Sequence, residues 1–125
     1  MAVVRKEVYQ MPRGAKCRRV CAEPGCRRFS PEHGEGQAIV MSVEELEALR
    51  LCDLEGMDQA EAAGRMNVSR GTLQRVLYSA RRHTAEAIVL GKALSIQGGN
   101  YEITDRPCAQ RESCAHCRFE NKEEK

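Results

Sequence analysis

Apolar side chains in the middle of the chain recur at intervals of three and four residues, which is the spacing of one face of an α-helix. The first stripe consists of Val43, Leu46, Leu49 and Leu54. The longer stripe covers about five turns and consists of Leu73, Val76, Leu77, Ala80, Thr84, Ala87 and Ile88. The two stripes predict two amphipathic helices that share one core.

Capping residues indicate where the first helix begins and ends. Ser42 is followed three residues later by Glu45, which is the pattern of a capping box at a helix start. Gly56 follows the apolar stripe and is a natural residue for a helix C-terminus. The first helix is therefore predicted between these two signals.

A second pair of caps predicts a short helix and a turn before the long helix. Asp58 with Glu61 forms another such box, and the helix that it opens is expected to run to about Met66. Asn67 tolerates the left-handed conformation that a tight turn requires. Ser69 then caps the third helix.

Together these elements predict a helix-turn-helix centred on residues 58–78. Small Ala63, beside Ala62, would let two helices cross closely. The inward positions are apolar throughout: Ala62, Met66, Val68, Leu73 and Val76. In such motifs the N-terminal residues of the second helix face the base edges of the DNA major groove. Here those residues are Ser69, Arg70, Gly71, Thr72, Gln74 and Arg75.

The residue types at these positions suit DNA. Arg pairs bidentately with guanine and Gln with adenine, so Arg70, Gln74 and Arg75 are the candidates for base recognition. Ser69, Thr72 and the helix N-terminus suit phosphate oxygens. Gly71 leaves room for close approach of a backbone.

Charge is distributed unevenly, although the net charge is only +2. Residues 1–30 hold eight Lys or Arg, Arg18 and Arg19 among them, against two Glu. Residues 42–61 hold seven acidic groups and one Arg, and residues 69–92 are basic again. This pattern favours a polyanionic partner, with the N-terminal arm neutralising phosphates. Arginines on an amphipathic helix are also common as a solvated face, and we interpret Arg81, Arg82 and His83 in that way.

The sequence divides into three zones and indicates one fold class. Residues 1–37 form a basic, Cys-containing arm, residues 38–97 the helix-turn-helix domain, and residues 98–125 a Cys-containing segment with a charged tail. We expect a mainly α fold with a sigma-region-4-like helix-turn-helix, a long third helix and irregular, Cys-rich ends. Two short extended segments, 38–41 and 93–96, either pair as a small sheet edge or serve as apolar connections.

The run EALRLCDLEGMDQAEAAGRMNVSRGTLQRVLYSARR from Glu47, with GKALSIQGG after it, resembles a prokaryotic family known as domain of unknown function one hundred and thirty-four. The resemblance extends upstream through Met11-Pro12-Arg13 and covers most of the chain. VSR-x-T-x-x-R, from Val68 to Arg75, is its most specific part. It implies a helix-turn-helix like region 4 of sigma factors and binding to double-stranded DNA, and it supplies no target. The sequence departs from the family pattern at Asn67, where glycine is frequent, and in residues 1–10.

The cysteines form two groups that flank the helices. A tetrahedral structural metal needs four ligands, and a site that joins the two ends would compensate for their poor cores. The candidate ligands are Cys17, Cys21, Cys108, Cys114 and Cys117. Zinc is the first candidate and an iron–sulfur cluster the second; unliganded thiols are the alternative. Cys52 is expected to be a small core residue.

These observations predict a sequence-specific DNA-binding protein of the cytoplasm and no enzyme. No nucleophile elbow, phosphate-binding glycine loop or zinc-protease motif is present in the sequence, and no segment is apolar enough to span a bilayer or act as a signal peptide. The alternative is a metal or iron–sulfur redox module that acts through a protein partner. A homodimer that reads two half-sites is consistent with the motif.

Overall fold

A computed structural model describes residues 17–33 and 36–103 of the chain. Its helical elements are α1 Val43–Leu49, a π-helical turn Arg50–Leu54 that continues α1, α2 Gln59–Met66 and α3 Arg70–Leu90. Its strands are β1 Arg18–Val20, β2 Arg28–Phe29, β3 Ala38–Met41, β4 Ala93–Ile96 and β5 Tyr101–Ile103. The helices therefore lie between strands in the sequence.

The first helix begins at the predicted capping box. The Ser42 hydroxyl accepts a hydrogen bond from the Glu45 backbone N–H at 3.2 Å, and the Ser42 backbone N–H donates to the Glu45 carboxylate at 2.8 Å. These two bonds satisfy backbone donors that a helix start leaves free. The helical segment ends at Leu54, and Gly56 follows with a φ of 81°.

The turn between α2 and α3 has the conformation expected from its residues. The Asp58 side chain caps α2 by accepting from the Glu61 N–H at 2.8 Å. Asn67 ends α2 with φ 60° and ψ 45°, in the left-handed region. Ser69 then caps α3 by accepting from the Thr72 N–H at 3.1 Å. The caps and the tight turn predicted at these residues are therefore present in the structure.

The expectation of a mainly α fold is wrong, although the predicted long third helix is present as the 21-residue α3. Helices account for 48% and strands for 19% of the described residues, so the fold is an α/β mixture. In a three-stranded sheet β4 lies between β2 and β3, antiparallel to β2 and parallel to β3. A separate parallel pair joins β1 to β5, with Arg18 opposite Tyr101. These strands have two to four residues each, too few for a period-two pattern, and their partners are distant in sequence.

The structure decides between the two alternatives for the extended segments 38–41 and 93–96. They pair in parallel register, from Ala38 opposite Ala93 to Met41 opposite Ile96. Parallel neighbours need a crossover connection, and here α1, α2 and α3 together form it. The helix-turn-helix is thus held at both ends by adjacent strands of one sheet.

Two apolar clusters make up the core of the described residues. The first lies inside the helix-turn-helix and consists of Ala48, Leu51, Met57, Ala62, Ala63, Met66, Leu73 and Leu77. The second joins the sheets to the helices and consists of Val20, Met41, Val43, Ala80 and Ile96. The inward positions predicted for the motif are buried or half-buried. Two members of the apolar stripes are exposed instead: Ile88 by 74%, in the last turn of α3, and Leu54 by 55%, at the end of the π-helical turn.

Candidate nucleic-acid interface

The N-cap and the first two turns of α3 carry the six residues predicted to face the DNA major groove. Arg70, Gly71, Gln74 and Arg75 are exposed, as is the capping residue Ser69, and Thr72 is half-buried. The left-handed turn at Asn67 and the Ser69 cap set where this surface begins. Burial of Leu73 and Leu77 on the opposite face fixes which side of α3 points outward.

The Thr72 hydroxyl joins two of its neighbours. Its oxygen accepts a hydrogen bond from the Ser69 hydroxyl at 3.0 Å and one from Nη2 of Arg75 at 3.3 Å. Because the oxygen accepts both bonds, the Thr72 proton remains available to donate. The Arg75 guanidinium is held beside the helix by this contact and keeps most of its donors.

Gly71 has no internal reason to lack a side chain. It adopts an ordinary helical φ, and a Cβ built on it would meet no atom within 4 Å. Glycine costs about 0.5–1 kcal/mol relative to alanine inside a helix. A side chain at position 71 would therefore project into open space beside α3.

A second series of contacts runs along the same face of α3. The Gln74 amide Nε2 donates to the Tyr78 hydroxyl at 3.3 Å, and the Arg81 guanidinium carbon lies 5.8 Å from the centre of the Tyr78 ring. Arg81 in turn donates two hydrogen bonds to Asp53, at 3.1 and 2.9 Å. The bond to Asp53 raises the pKa of Arg81. Arg81, interpreted from the sequence as solvated, is an ion-pair partner of the segment that follows α1.

Asp53 and Tyr78 also belong to this surface, but they were not among the residues predicted from the sequence. Asp53 and Arg81 are 28 residues apart, so no local spacing rule connects them. Tyr78 lies four residues after Gln74, and that spacing on a helix is the one signal that could have linked the two.

The acidic residues of α1 point largely into the protein. Glu44, Glu45 and Glu47 are buried, and Glu47 is only 2% exposed. The Glu47 carboxylate accepts two hydrogen bonds from Arg50, at 3.1 and 3.0 Å, and Arg50 donates a third to Glu55 at 3.1 Å. Much of the negative charge of residues 42–61 is therefore neutralised internally.

Arg18 and Arg19 lie on β1, on different sides of the strand. Arg18 is half-buried and forms an ion pair with Glu44 at 3.4 Å, whereas Arg19 is exposed. Burial raises the pKa of Glu44, and the Arg18 charge acts in the opposite direction. The Asn100 N–H also donates to Glu44, at 2.7 Å. The basic residues before Cys17 lie outside the described residues.

The described part of the chain contains two of the five predicted metal ligands. Cys17 and Cys21 flank β1, and the three strand residues between them place their Cα atoms about 13 Å apart. Two sulfurs bound to one zinc ion lie at most about 4.6 Å apart, because each Zn–S bond is about 2.3 Å, and the two short cysteine side chains do not span the remaining distance. No group of three metal-binding side chains occurs within residues 17–33 and 36–103. Cys108, Cys114 and Cys117 lie outside the described residues.

Cys52 lies in the π-helical turn and packs, half-buried, against the core of the helix-turn-helix. Burial raises the pKa of its thiol, and the neighbouring Asp53 carboxylate adds to the effect. Cys52 is thus a partly buried thiol kept in its neutral form. Among the helices that the structure describes, none is both long and apolar enough to cross a membrane.

Comparison with known proteins identifies relatives over most of the chain. The model of a family described as "Protein of unknown function DUF134" matches residues 8–104. A UPF0251 protein of Ruminiclostridium cellulolyticum is 46% identical over 89% of this chain and 87% of its own length. One from Dehalococcoides mccartyi is 50% identical over 82% of this chain and 90% of its own. One from Pelotomaculum thermopropionicum is 48% identical over 86% of this chain and 88% of its own length. No solved structure matches the chain significantly.

Proposed function

This chain belongs to the DUF134 family of proteins of unknown function, and we propose that it binds double-stranded DNA sequence-specifically as a non-enzymatic transcription regulator of the cytoplasm. The names of its relatives state no activity. The proposal therefore rests on the chemistry of the surface at the start of α3.

One observation carries the proposal: Arg70, Gln74 and Arg75 are all exposed at the start of α3. They directly follow the left-handed turn at Asn67 and the N-cap at Ser69. A helix of this kind fits the major groove with its N-terminal residues against base edges. Arg70 and Arg75 match guanine, and Gln74 matches adenine. The internal pairing of the α1 carboxylates supports the proposal, because it limits the repulsion that a DNA phosphate would meet.

Backbone contacts supply the remainder of the affinity. The Thr72 hydroxyl has a proton to donate to a phosphate oxygen, and the N-terminus of α3 adds the positive end of its dipole. Exposed Arg19 adds a charge outside α3. Binding should release one condensed counterion for nearly every phosphate that is neutralised, so affinity falls as salt rises.

The test is selection of bound sequences from a randomised duplex library, followed by titration of the selected duplex and a scrambled duplex at several salt concentrations. Arg75→Ala is expected to reduce discrimination between the two duplexes by about 1–3 kcal/mol. Arg82→Ala is the matched control, because Arg82 is exposed on the same helix beyond the predicted contact region. Failure of the wild-type protein to bind any duplex at low salt would end the proposal.

A metal site is the second candidate feature, and the topology favours a particular ligand set. β1 and β5 run parallel, with Val20 opposite Ile103, so the chain leaves both strands at the same end of the pair. Cys21 lies at that end, and Cys108 follows Ile103 by five residues in the sequence. We propose that Cys21, Cys108, Cys114 and Cys117 hold zinc or an iron–sulfur cluster, with Cys17 at the other end of β1. If the site is an iron–sulfur cluster that exchanges electrons with a protein partner, the protein should have a visible absorption spectrum that changes on reduction.

A homodimer is proposed on the exposed apolar surface at the end of α3. Ile88, Val89 and Leu90 are exposed by 74, 77 and 56%. Ile88 also lines a groove of about 470 Å³ between α1, α3 and the three-stranded sheet, with Phe29 and Leu94 in its wall. A ridge next to a groove can form a self-complementary two-fold interface. Sedimentation of the wild type as a dimer and of Val89→Asp as a monomer is expected; a monomeric wild type at micromolar concentration contradicts it.

A further inference from the structure

The exposed face of α3 carries more than the residues that would touch DNA. Arg70, Gln74, Tyr78 and Arg81 follow one another at intervals of four, four and three residues, so they form one row along the helix. Three of the four are joined by direct contacts, and the last is joined to Asp53. The row therefore connects the predicted reading surface to the end of α1.

The anchor of this row is the bidentate pair between Arg81 and Asp53. Two parallel hydrogen bonds, at 3.1 and 2.9 Å, fix the plane of the guanidinium as well as its position. Asp53 is itself held in the helical turn that continues α1. Both side chains are about half exposed, so what the pair contributes is mainly orientation.

Tyr78 transmits that orientation to Gln74. The Arg81 guanidinium lies 5.8 Å from the Tyr78 ring centre, within the range of a cation–π contact. The ring has few rotatable bonds, so this contact restricts where its hydroxyl can lie. From there it accepts the Gln74 Nε2 hydrogen bond at 3.3 Å. A free Gln side chain is among the most costly to order, and this contact orders it in advance.

The contact leaves Gln74 the groups that adenine requires. The amide has two N–H donors and one carbonyl acceptor, and Tyr78 takes one donor. The second donor matches adenine N7, and the carbonyl oxygen matches the adenine N6 amino group. Gln74 can therefore make the bidentate contact with adenine and keep its hydrogen bond to the Tyr78 hydroxyl.

We infer that Tyr78, held by the Arg81–Asp53 pair, is a positioning residue that presets the Gln74 amide to read adenine. The inference rests on the proposed function. It adds that the preference at one base pair depends on a hydroxyl that does not itself touch the base. The free amide would otherwise sample several rotamers and accept other bases more readily.

The experiment compares the sequences selected by the full-length wild type, Gln74→Ala, Tyr78→Phe and Tyr101→Phe. Gln74→Ala should lose the adenine preference at one position, by roughly 5- to 150-fold. Tyr78→Phe should weaken the preference at that same position by about 2- to 10-fold, with an unchanged salt dependence because no phosphate contact is removed. Tyr101→Phe is the control, since its hydroxyl donates to Glu23 at 2.9 Å on another face and its loss should leave the motif unchanged.

Asp53→Asn keeps the inference testable if Tyr78→Phe is poorly folded. It should weaken the same adenine preference, because a neutral amide holds the Arg81 guanidinium less firmly than a carboxylate does, and it should leave the preference at the other positions unchanged. The inference would be overturned if Tyr78→Phe or Asp53→Asn kept the full adenine preference, or if Gln74→Ala selected an unchanged motif. Each of these results would leave the proposed function intact. A wild type that selects no motif would overturn both.

Discussion

Gly99 lies so close to Glu44 that a Cβ on residue 99 would be 2.5 Å from the Glu44 carboxylate oxygen Oε1. The same oxygen accepts the Asn100 N–H at 2.7 Å, and the Gly98 carbonyl accepts the Val43 N–H at 3.1 Å. The connection between β4 and β5 is thus hydrogen-bonded to the start of α1, and the missing side chain of Gly99 is what allows the approach.

Gly99→Ala should lower the free energy of unfolding by about 1–3 kcal/mol. The new methyl group would meet the Glu44 carboxylate, and φ at residue 99 is +115°, which L-residues rarely adopt. Urea denaturation followed by circular dichroism measures the change. Gly98→Ala is the control, because it has φ +75° but meets no atom within 4 Å. Equal losses in the two variants would show that the contact with Glu44 is unimportant.

Glu44 should make stability depend on pH. Burial raises its pKa above 4.5 in the folded protein, so the folded chain keeps a proton that the unfolded chain has released. The free energy of unfolding should therefore fall as pH rises from about 4.5 to the folded pKa, relative to Glu44→Gln. Denaturant midpoints between pH 4 and 8 would measure this. Arg18→Gln should steepen the fall, since the Arg18 charge lowers that pKa. A difference that grows with pH would contradict the assignment.

Gly71→Ala should change stability and DNA affinity in opposite directions. The methyl group meets no atom of the protein, so the gain in helix propensity should stabilise the fold by about 0.5–1 kcal/mol. The same group would occupy the space that the proposed DNA contact uses, and affinity for the selected duplex should fall. Gly64→Ala, in α2, should give the gain in stability alone, because its Cβ is also unobstructed. Undiminished affinity in Gly71→Ala would place the DNA elsewhere.

Cys21→Ser should abolish metal binding, whereas Cys17→Ser should leave it intact. Anaerobic purification followed by elemental analysis for zinc and iron, with a visible spectrum, measures both. The difference is expected because the two thiols lie at opposite ends of β1, and only Cys21 is at the end from which β5 leads toward Cys108. Loss of metal in both variants would mean that β1 rearranges around the ion. A wild type without metal would remove the site.

The elements that the sequence predicted well are those whose signals are local. Ser42, Asp58, Asn67 and Ser69 act on residues within four positions of themselves, and the structure has each cap and turn where expected. The burial of Ala62, Met66 and Leu73 follows from helical spacing in the same way.

The sequence indicated the extended segments 38–41 and 93–96 but did not decide whether they pair. The other strands and the polar contacts of the candidate site could not be predicted, because they join residues far apart. Arg18 lies opposite Tyr101 in the parallel β1–β5 pair, and no sequence feature near either residue indicates the other as its partner. Asp53 and Arg81 each looked like ordinary surface charges. The proposed metal ligands depend on which end of a three-residue strand each cysteine occupies, and that is a property of the sheet rather than of the spacing between cysteines.

The parallel pairing of β3 with β4 also bears on how the chain folds. The three helices can form from neighbouring residues, but Ala38 meets Ala93 only after the 54 residues between them have been arranged. Closing so long a loop costs entropy that short-range contacts do not. The sheets should therefore form after the helices and open before them. In native-state hydrogen exchange, the amides of Ile96 and Gln97, which bond to Arg27 and Met41, should exchange through openings that leave α3 protected.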